Sequence, residues 1–428
     1  MKTMKRWLAG GCLLLVPLVG WTAETPDWYL KDGQTVVFIG DSNTFADQYI
    51  QDIDAFLFTR FPGKSFKLIN RGLPSETIAG TSETTHHPPR PDVHTRFSRT
   101  VPPLHPDVLV ACYGMNDGIY AAPDPEIFER FKLGMQRLVR RTRDETKAAL
   151  VLLTPPPFDA APYQNRPPTD PPDWRRPVSN YDDTLAHFSN WLLSLGEGGA
   201  AVVDLHTPIG DHLKARRETD PDFILAGDGV HLDSTGHFLM AQTLLLAWHA
   251  PALAAEAVID IKSRRARTGD LSQLDIGSKG RLSCLWSVGL PWPVDPRCDV
   301  KSVALARTHE RLNQFRLTVL GCPELRYDLV VGPKRLATVT REQLATGVNL
   351  MDYPGFPNLR QSQEVLKLVQ QRRQILLEHW VRNDPHPRLA GMSKNSQASP
   401  EAADALEVRI RQLCQRQTLR VELQPIEE

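Results

Sequence analysis

Neither sign of charge is in excess in this sequence, since Lys and Arg together number 50 and Asp and Glu together also number 50. A strongly basic chain would favour nucleic acid or an anionic membrane surface as partner, and this balance favours neither. The short basic stretch Arg264–Arg267 has no interleaved aromatic residues, which is typical of a solvated face. We therefore expect no nucleic-acid partner.

The sequence also lacks a CxxC pair, a Cys/His cluster with zinc-site spacing, an internal repeat and any low-complexity tract. Nothing in it therefore favours a zinc site. Five cysteines follow the N-terminal segment, and an odd number leaves at least one thiol free. Cys112 lies in an apolar run and is expected to be a buried thiol. One disulfide among Cys284, Cys298 and Cys322 is compatible with an oxidising compartment, and the pairing stays open.

The only long apolar run is at the N-terminus, where Lys2, Lys5 and Arg6 precede residues 7–19 and Thr22-Ala23 offers small residues for cleavage. This arrangement is typical of a secretory signal peptide and is too short to span a bilayer comfortably. We predict a signal peptide over residues 1–23, no stable membrane insertion, and a secreted or periplasmic protein.

A chain of 428 residues predicts two domains. In residues 24–255, short β-branched runs alternate with helical periods, which predicts parallel strands joined by right-handed crossovers. The fold class is therefore α/β, a five-stranded parallel sheet with helices on both faces. The strands are predicted at Thr35–Ile39, Phe66–Asn70, Val108–Tyr113, Ala149–Thr154 and Ala201–Leu205.

Three polar segments follow the first three of these strands, at the carboxyl ends where parallel sheets place their sites. They are Gly40–Asn43, Asn70–Gly72 and Gly114–Asp117. A fourth segment, Asp228–His231, precedes the amphipathic stretch Ser234–His249 and can lean over the same edge. The four segments together predict one site.

The residue types in these segments are those of a serine esterase. Ser42 is the candidate nucleophile, and a hydroxyl needs a base to accept its proton. His231 is the candidate base, with Asp228 to fix its tautomer and stabilise the imidazolium. The oxyanion hole is predicted from the Ser42 N–H, the Gly72 N–H and the Asn116 side-chain amide. Taken singly, Ser42 and Asn116 could also be helix or turn caps and Gly72 a turn glycine.

With these segments in this order, the chain resembles the SGNH (GDSL-type) hydrolases over about residues 24–255. The resemblance implies a flavodoxin-like three-layer α/β/α fold with strand order 2-1-3-4-5, no metal and no cofactor. It implies the roles given above for Ser42, Gly72, Asn116, Asp228 and His231. Two departures stand out: Asn43 replaces a common aliphatic residue, and residues 74–77 replace a glycine that often follows in the second segment.

Residues 256–428 form a second unit in which the strand–helix alternation stops. We predict a β-rich part over residues 258–350 and an antiparallel helical pair over residues 359–418. No Gly/Ser-rich tether precedes this unit, so it is expected to pack against the first domain as a fixed body. The long proline-rich loops Thr84–Pro103 and Thr154–Pro177 either shape the substrate cleft or cover the surface.

The sequence predicts a secreted esterase that removes acetyl or other short acyl groups from carbohydrate, with a small-molecule or glycan ester as substrate. The alternatives are a lipase, lysophospholipase or thioesterase using the same residues, or acyl transfer to an alcohol other than water. A non-catalytic glycan-binding protein that uses Trp286 and Trp292 is a further alternative, although core packing explains these two tryptophans equally well. Oligomeric state is left open.

Overall fold

The computed structural model describes residues 28–163, 170–197, 201–395 and 397–426. The predicted signal peptide, residues 1–23, lies outside these ranges. Within the described ranges, no helix is both long and apolar enough to cross a membrane.

The first domain contains the predicted parallel sheet, in the order β2-β1-β3-β4-β5. Its strands are β1 (Thr35–Gly40), β2 (Lys67–Asn70), β3 (Val108–Cys112), β4 (Ala149–Leu153) and β5 (Ala201–Val203). Every residue of β3 is buried, as is every residue of Val36–Gly40, because helices cover both faces of the sheet. Both the α/β fold class and the strand order are therefore confirmed.

Two apolar cores lie on the two faces of the sheet, which gives three layers. The helices of this domain are α1 (Ser42–Phe45), α2 (Gln48–Arg60), α3 (Phe97–Thr100), α4 (Pro125–Glu145), α5 (Tyr181–Glu197), α6 (His206–Arg217) and α7 (Ser234–Ala247). Side chains of α2, α6 and α7 pack with Val36 and Phe38 on one face. Side chains of α4 and α5 pack with Val37 and Ile39 on the other.

The C-terminal region has two further sheets. The strands are β6 (Leu253–Asp260), β7 (Arg265–Thr268), β8 (Leu271–Ile276), β9 (Leu282–Val288), β10 (Gln314–Leu320), β11 (Arg326–Val331), β12 (Lys334–Thr340), β13 (Val348–Asn349) and β14 (Gln417–Pro425). They form a four-stranded sheet, β13-β10-β6-β7, and a five-stranded sheet, β12-β11-β14-β9-β8. The strand content begins before residue 258, and β14 follows the helical pair to return to the second sheet.

Five helices complete the C-terminal region within the described ranges: α8 (Val300–Leu305), α9 (Thr308–Leu312), α10 (Arg341–Thr346), α11 (Leu359–Asn383) and α12 (Pro400–Leu413). The helices α11 and α12 run antiparallel, since Gln361 near the start of α11 bonds to Leu413 at the end of α12. Apolar residues of both helices pack with Ala55 and Phe58 of α2. The helical pair therefore lies against the first domain.

Trp286 and Trp292, the two candidate glycan-binding tryptophans, are core residues. Trp292 is 1% exposed, packs on Phe56 and Phe238 of the first domain, and donates from its indole N–H to the Asp52 carbonyl at 2.9 Å. Trp286 is equally buried, in the core between the two C-terminal sheets. Neither indole is available to a surface ligand. The binding hypothesis therefore loses the residues on which it rested.

The disulfide that the sequence left open is not formed. Cys112, Cys284, Cys298, Cys322 and Cys414 are all free thiols. Cys112 is fully buried on β3, as the apolar run predicted.

Candidate active site

The candidate nucleophile, Ser42, lies where β1 passes into α1. Asp41 caps α1 by accepting a hydrogen bond from the Asn43 N–H at 2.9 Å, so Ser42 is the first helical residue. Backbone N–H groups at this end of a helix have no partner inside the helix. Only glycine fits before the cap, because a Cβ on Gly40 would come within 2.3 Å of Thr44 Oγ1 and 2.6 Å of the Cys112 carbonyl.

Ser42, His231 and Asp228 form a continuous hydrogen-bonded chain. His231 Nε2 is 2.8 Å from Ser42 Oγ, and His231 Nδ1 is 2.6 Å from Asp228 Oδ2. The other carboxylate oxygen of Asp228 accepts from the Val230 N–H at 3.1 Å and from the His231 N–H at 2.8 Å. Residues that are 189 positions apart in the sequence are therefore arranged for proton transfer from the serine hydroxyl to the imidazole.

The charge states of Asp228 and His231 are those that a serine nucleophile needs. Burial favours the neutral form of Asp228, but hydrogen bonds from His231 outweigh it and lower the pKa of Asp228 to about 2. The hydrogen bond to Asp228 in turn raises the pKa of His231, against the opposing effect of burial. Asp228 is therefore ionised at neutral pH, and its charge favours the protonated form of His231.

Asn43 holds the loop that carries His231. Its side-chain amide donates to the Val230 carbonyl at 3.1 Å, and its oxygen accepts from the Leu232 N–H at 3.2 Å. The two bonds lie on either side of His231, and Asn43 is buried. The aliphatic residue common in the family at this position could make neither bond, so the departure noted in the sequence has a structural role. The sequence alone gave no sign of it.

The Asn116 amide is oriented by three partners. Its oxygen accepts from Arg90 Nη1 and from the Tyr120 hydroxyl, both at 2.9 Å. Its nitrogen donates one hydrogen to the Glu76 carbonyl at 3.2 Å. Since an amide nitrogen carries two hydrogens, one remains for a substrate oxygen. No signal in the sequence indicated that Arg90 and Tyr120 hold Asn116.

The Gly72 N–H, a predicted oxyanion donor, has a partner within the protein. It donates to Asn70 Oδ1 at 2.7 Å, so it already has an acceptor. A Cβ at this position would lie 2.5 Å from the Phe45 nitrogen and 2.8 Å from the Thr44 carbonyl carbon. The glycine is needed because the loop packs directly on α1.

A second backbone donor is available further along the same loop. Ser75 has φ of 65° in the turn that Leu73 and Glu76 close by a hydrogen bond of 3.1 Å. Its N–H has no acceptor among the described residues. The neighbouring Glu76 carbonyl bonds to Asn116 Nδ2, so this turn lies beside the amide. The positive φ falls where the family often has glycine, which is the signal the sequence offered.

The two long loops both reach the site. Arg90 of the first loop forms a buried ion pair with Glu83, at 2.5 and 2.6 Å, while it bonds to Asn116. In the second loop, the Tyr163 hydroxyl donates to the Asp228 carbonyl at 2.7 Å. Of the two roles left open for these loops, the described parts therefore favour shaping the site.

The catalytic side chains lie at an open surface. The side chains of His231 and Asp228 are 49% and 42% exposed. Two cavities of the described structure, about 840 and 630 Å³, are lined by other residues and lie against the C-terminal region. The His231–Asp228 pair is therefore accessible to solvent.

Two other histidines do not compete with His231. His206 Nε2 lies 3.1 Å from Asp182 Oδ1, away from the serine. His237 is buried against Tyr49, and burial lowers its pKa to about 3. No group of three His, Cys, Asp or Glu residues within the described ranges is placed to hold a metal ion.

Comparisons with known proteins bear on the family and the fold. Residues 38–239 match the model of the GDSL-like lipase/acylhydrolase family. BT4096, a gut microbial diltiazem-metabolizing enzyme, has a similar fold over 93% of this chain and 98% of its own, with TM-score 0.75 and 19% identity. Axe2, an acetylxylan esterase from Geobacillus stearothermophilus, matches over 51% of this chain and 96% of its own, with TM-score 0.39 and 19% identity. No curated protein matches significantly.

Proposed function

From the membership of residues 38–239 in the GDSL-like lipase/acylhydrolase family, we propose that this ester hydrolase works through an acyl-serine on Ser42. The observation that carries the proposal is the hydrogen-bonded chain from Ser42 through His231 to Asp228, at 2.8 and 2.6 Å. His231 accepts the hydroxyl proton as Ser42 Oγ attacks the ester carbonyl, and returns it to the leaving alcohol. Water then attacks the acyl-serine with His231 again acting as base.

The oxyanion of both steps is stabilised by preorganised donors. The proposed donors are the Ser42 N–H and the free hydrogen of Asn116 Nδ2. Of the backbone N–H groups in the loop that follows β2, we propose that of Ser75 as a donor rather than the predicted one of Gly72. The Gly72 N–H is engaged by Asn70 at 2.7 Å, and using it would require that bond to break.

The substrate we propose is a short-acyl ester, above all an acetyl ester, of a carbohydrate. The exposure of the His231 side chain supports this, since a polymer can approach such a site. Trp174 is 38% exposed on the loop that contacts the Asp228 carbonyl through Tyr163. An exposed aromatic ring offers an apolar face to a sugar, and the Arg175 guanidinium lies 5.6 Å from its centre. The predicted signal peptide supports a secreted or periplasmic location.

Hydrolysis of long-chain lipid esters or of thioesters is the alternative on the same residues. A lipase of this kind would be favoured by a deep apolar channel or an apolar covering helix beside the serine. In the described ranges, the two cavities of about 840 and 630 Å³ are not lined by the catalytic residues. Acetylated glycans are therefore the substrates to test first.

The experiment is a panel of p-nitrophenyl esters from acetyl to palmitoyl, together with acetylated xylan, acetylated oligosaccharides, an acyl-thioester and diltiazem. The proposal expects the highest kcat/KM on acetyl or propionyl esters and release of acetate from the glycans. Ser42→Ala is the control for background hydrolysis. A kcat/KM that rises with chain length would replace the proposal with the lipase alternative.

A further inference from the structure

A C-terminal helix inserts an arginine beneath the active-site loops. Arg373 of α11 donates from Nε to Asp47 Oδ2 and from Nη2 to Asp47 Oδ1, both at 2.7 Å. It also donates to the Leu68 carbonyl at 3.3 Å, on the edge strand β2. Arg373 is 2% exposed and Asp47 is 1% exposed. The bond is therefore a two-point contact made out of reach of solvent.

Asp47 connects Arg373 to the loop that follows β2, which carries the segment Asn70–Gly72. Its Oδ1 accepts from Asn70 Nδ2 at 2.9 Å. The same Asn70 nitrogen donates to the Thr44 carbonyl of α1 at 2.7 Å. The Asn70 oxygen accepts from the Gly72 N–H at 2.7 Å. Asn70 therefore joins the helix that begins with Ser42 to the loop that follows β2, and Arg373 holds the carboxylate on which Asn70 rests.

The end of α11 makes a second, apolar contact with the same loop. Leu73 is fully buried in a cluster with Trp380, Val381 and Leu389 of the C-terminal region, and Phe45 of α1 packs against this cluster. Arg388, beyond α11, donates to the Pro74 carbonyl at 3.3 Å. The two residues that precede Ser75 are thus backed by the C-terminal region.

We propose that α11 is a positioning element of the active site and that Arg373 is its principal residue. Arg373 touches no reacting atom. Through Asp47 and Asn70 it fixes the distance between the serine helix and the loop of Gly72 and Ser75. The inference rests on the proposed acyl-serine function. It assigns the C-terminal region an indirect part in catalysis, which does not depend on contact between its residues and the substrate.

Stability alone does not explain this arrangement. A buried ion pair is often no more stabilising than apolar residues of similar volume, because both charges lose their hydration. What such a pair adds is a defined geometry. Here it fixes the positions of two catalytic segments, the one that begins α1 and the one that follows β2. Its neighbour Arg372 bonds to Asp54 and Glu407, on α2 and α12, and reaches no catalytic segment. Asp54 also lies 3.6 Å from Arg373, so it keeps a cationic partner when either arginine is replaced.

The test compares Arg373→Met with Arg372→Met in the full-length protein. Both variants remove one guanidinium from the same helix, and both are expected to lower Tm. Arg373→Met is expected to lower kcat up to about 100-fold with little change in KM, since small displacements of catalytic groups cost this much. It should slow labelling of Ser42 by a phosphonate to a similar extent, and Arg373→Lys should recover part of the loss. Arg372→Met should keep kcat within about twofold of wild type. If Arg373→Met acted only by weakening the docking of α11, Arg372→Met would lower kcat as well.

A double variant separates geometry from buried charge, and it serves if Arg373→Met alone does not fold. Asp47→Asn combined with Arg373→Met leaves no uncompensated charge, and asparagine tolerates the φ of 65° at position 47. The proposal expects Tm to recover while kcat stays low. Recovery of kcat together with Tm, or a folded Arg373→Met with wild-type kcat, would overturn it. If Ser42→Ala keeps wild-type activity, the proposed function fails instead, whatever Arg373 does.

Discussion

Replacing Asn116 with alanine removes the one side-chain donor assigned to the oxyanion. Asn116 Nδ2 donates one hydrogen to the Glu76 carbonyl at 3.2 Å, and its other hydrogen has no acceptor among the residues that the structure describes. That hydrogen is strengthened by its surroundings, because Arg90 and Tyr120 both donate to the amide oxygen at 2.9 Å. A preorganised donor of this kind contributes about 2.7–4 kcal/mol to the transition state. Asn116→Ala should therefore lower kcat by about 10²–10³.

The same substitution also has a folding cost that must be kept apart. Alanine leaves the Arg90 and Tyr120 donors without their acceptor in a buried place, at about 1–3 kcal/mol for each unsatisfied group. Tyr120→Phe is the matched control, since it loses one supporting hydrogen bond and retains the Asn116 amide. We expect it to lower Tm and to change kcat much less than Asn116→Ala does.

The assay is steady-state hydrolysis of p-nitrophenyl acetate, with Tm measured on the same preparations. A donor used mainly in the transition state lowers kcat and kcat/KM together and leaves KM nearly unchanged. A large rise in KM with normal kcat would make Asn116 a residue that binds the ground state. An unchanged kcat in a folded Asn116→Ala would refute its place in the oxyanion hole.

Three further predictions follow from the same geometry. Asn43→Leu should lower kcat by about tenfold to a hundredfold, measured by hydrolysis kinetics at a temperature where the variant stays folded; unchanged kcat would contradict the role of Asn43 beside His231. Because Asp228 raises the pKa of His231 and only neutral His231 accepts the serine proton, kcat/KM should fall on the acid side of a midpoint above about 6.5. In a pH–rate profile, Asp228→Asn should move that midpoint to lower pH and cost about 10⁴ in kcat; an unmoved midpoint would assign it to another group. Truncation after Ala255 should lower Tm and expose apolar surface, because it removes Trp292 from the first domain's core; an equally stable and active fragment would show the region to be independent.

The first domain could be predicted because its signals are local. The residues Val36–Ile39 are apolar without interruption, and a strand buried on both faces requires this pattern. The carboxyl ends of such strands meet at one edge, so the motifs that follow them could be placed together before any distance was known. Ser42, His231 and Asp228 do lie within hydrogen-bond reach of one another.

The parts that were not predicted depend on partners far away in the chain. Strand β6 pairs in parallel with β10, and its small and mixed residues show no clear alternation. Strand β14 follows a helix directly and pairs with β9, which precedes it by well over a hundred residues. The bonds of Asn43 to Val230 and of Arg373 to Asp47 span 187 and 326 positions. No window of sequence contains both ends of such contacts.

The central claim is that Ser42 forms the acyl-enzyme, and its most direct test is covalent labelling by a fluorophosphonate followed by peptide mass spectrometry. The wild-type protein should be labelled at Ser42 and at no other serine, with loss of esterase activity in proportion to labelling. Ser42→Ala should be folded, unlabelled and inactive. Labelling at another residue, or esterase activity that survives in Ser42→Ala, would contradict the account.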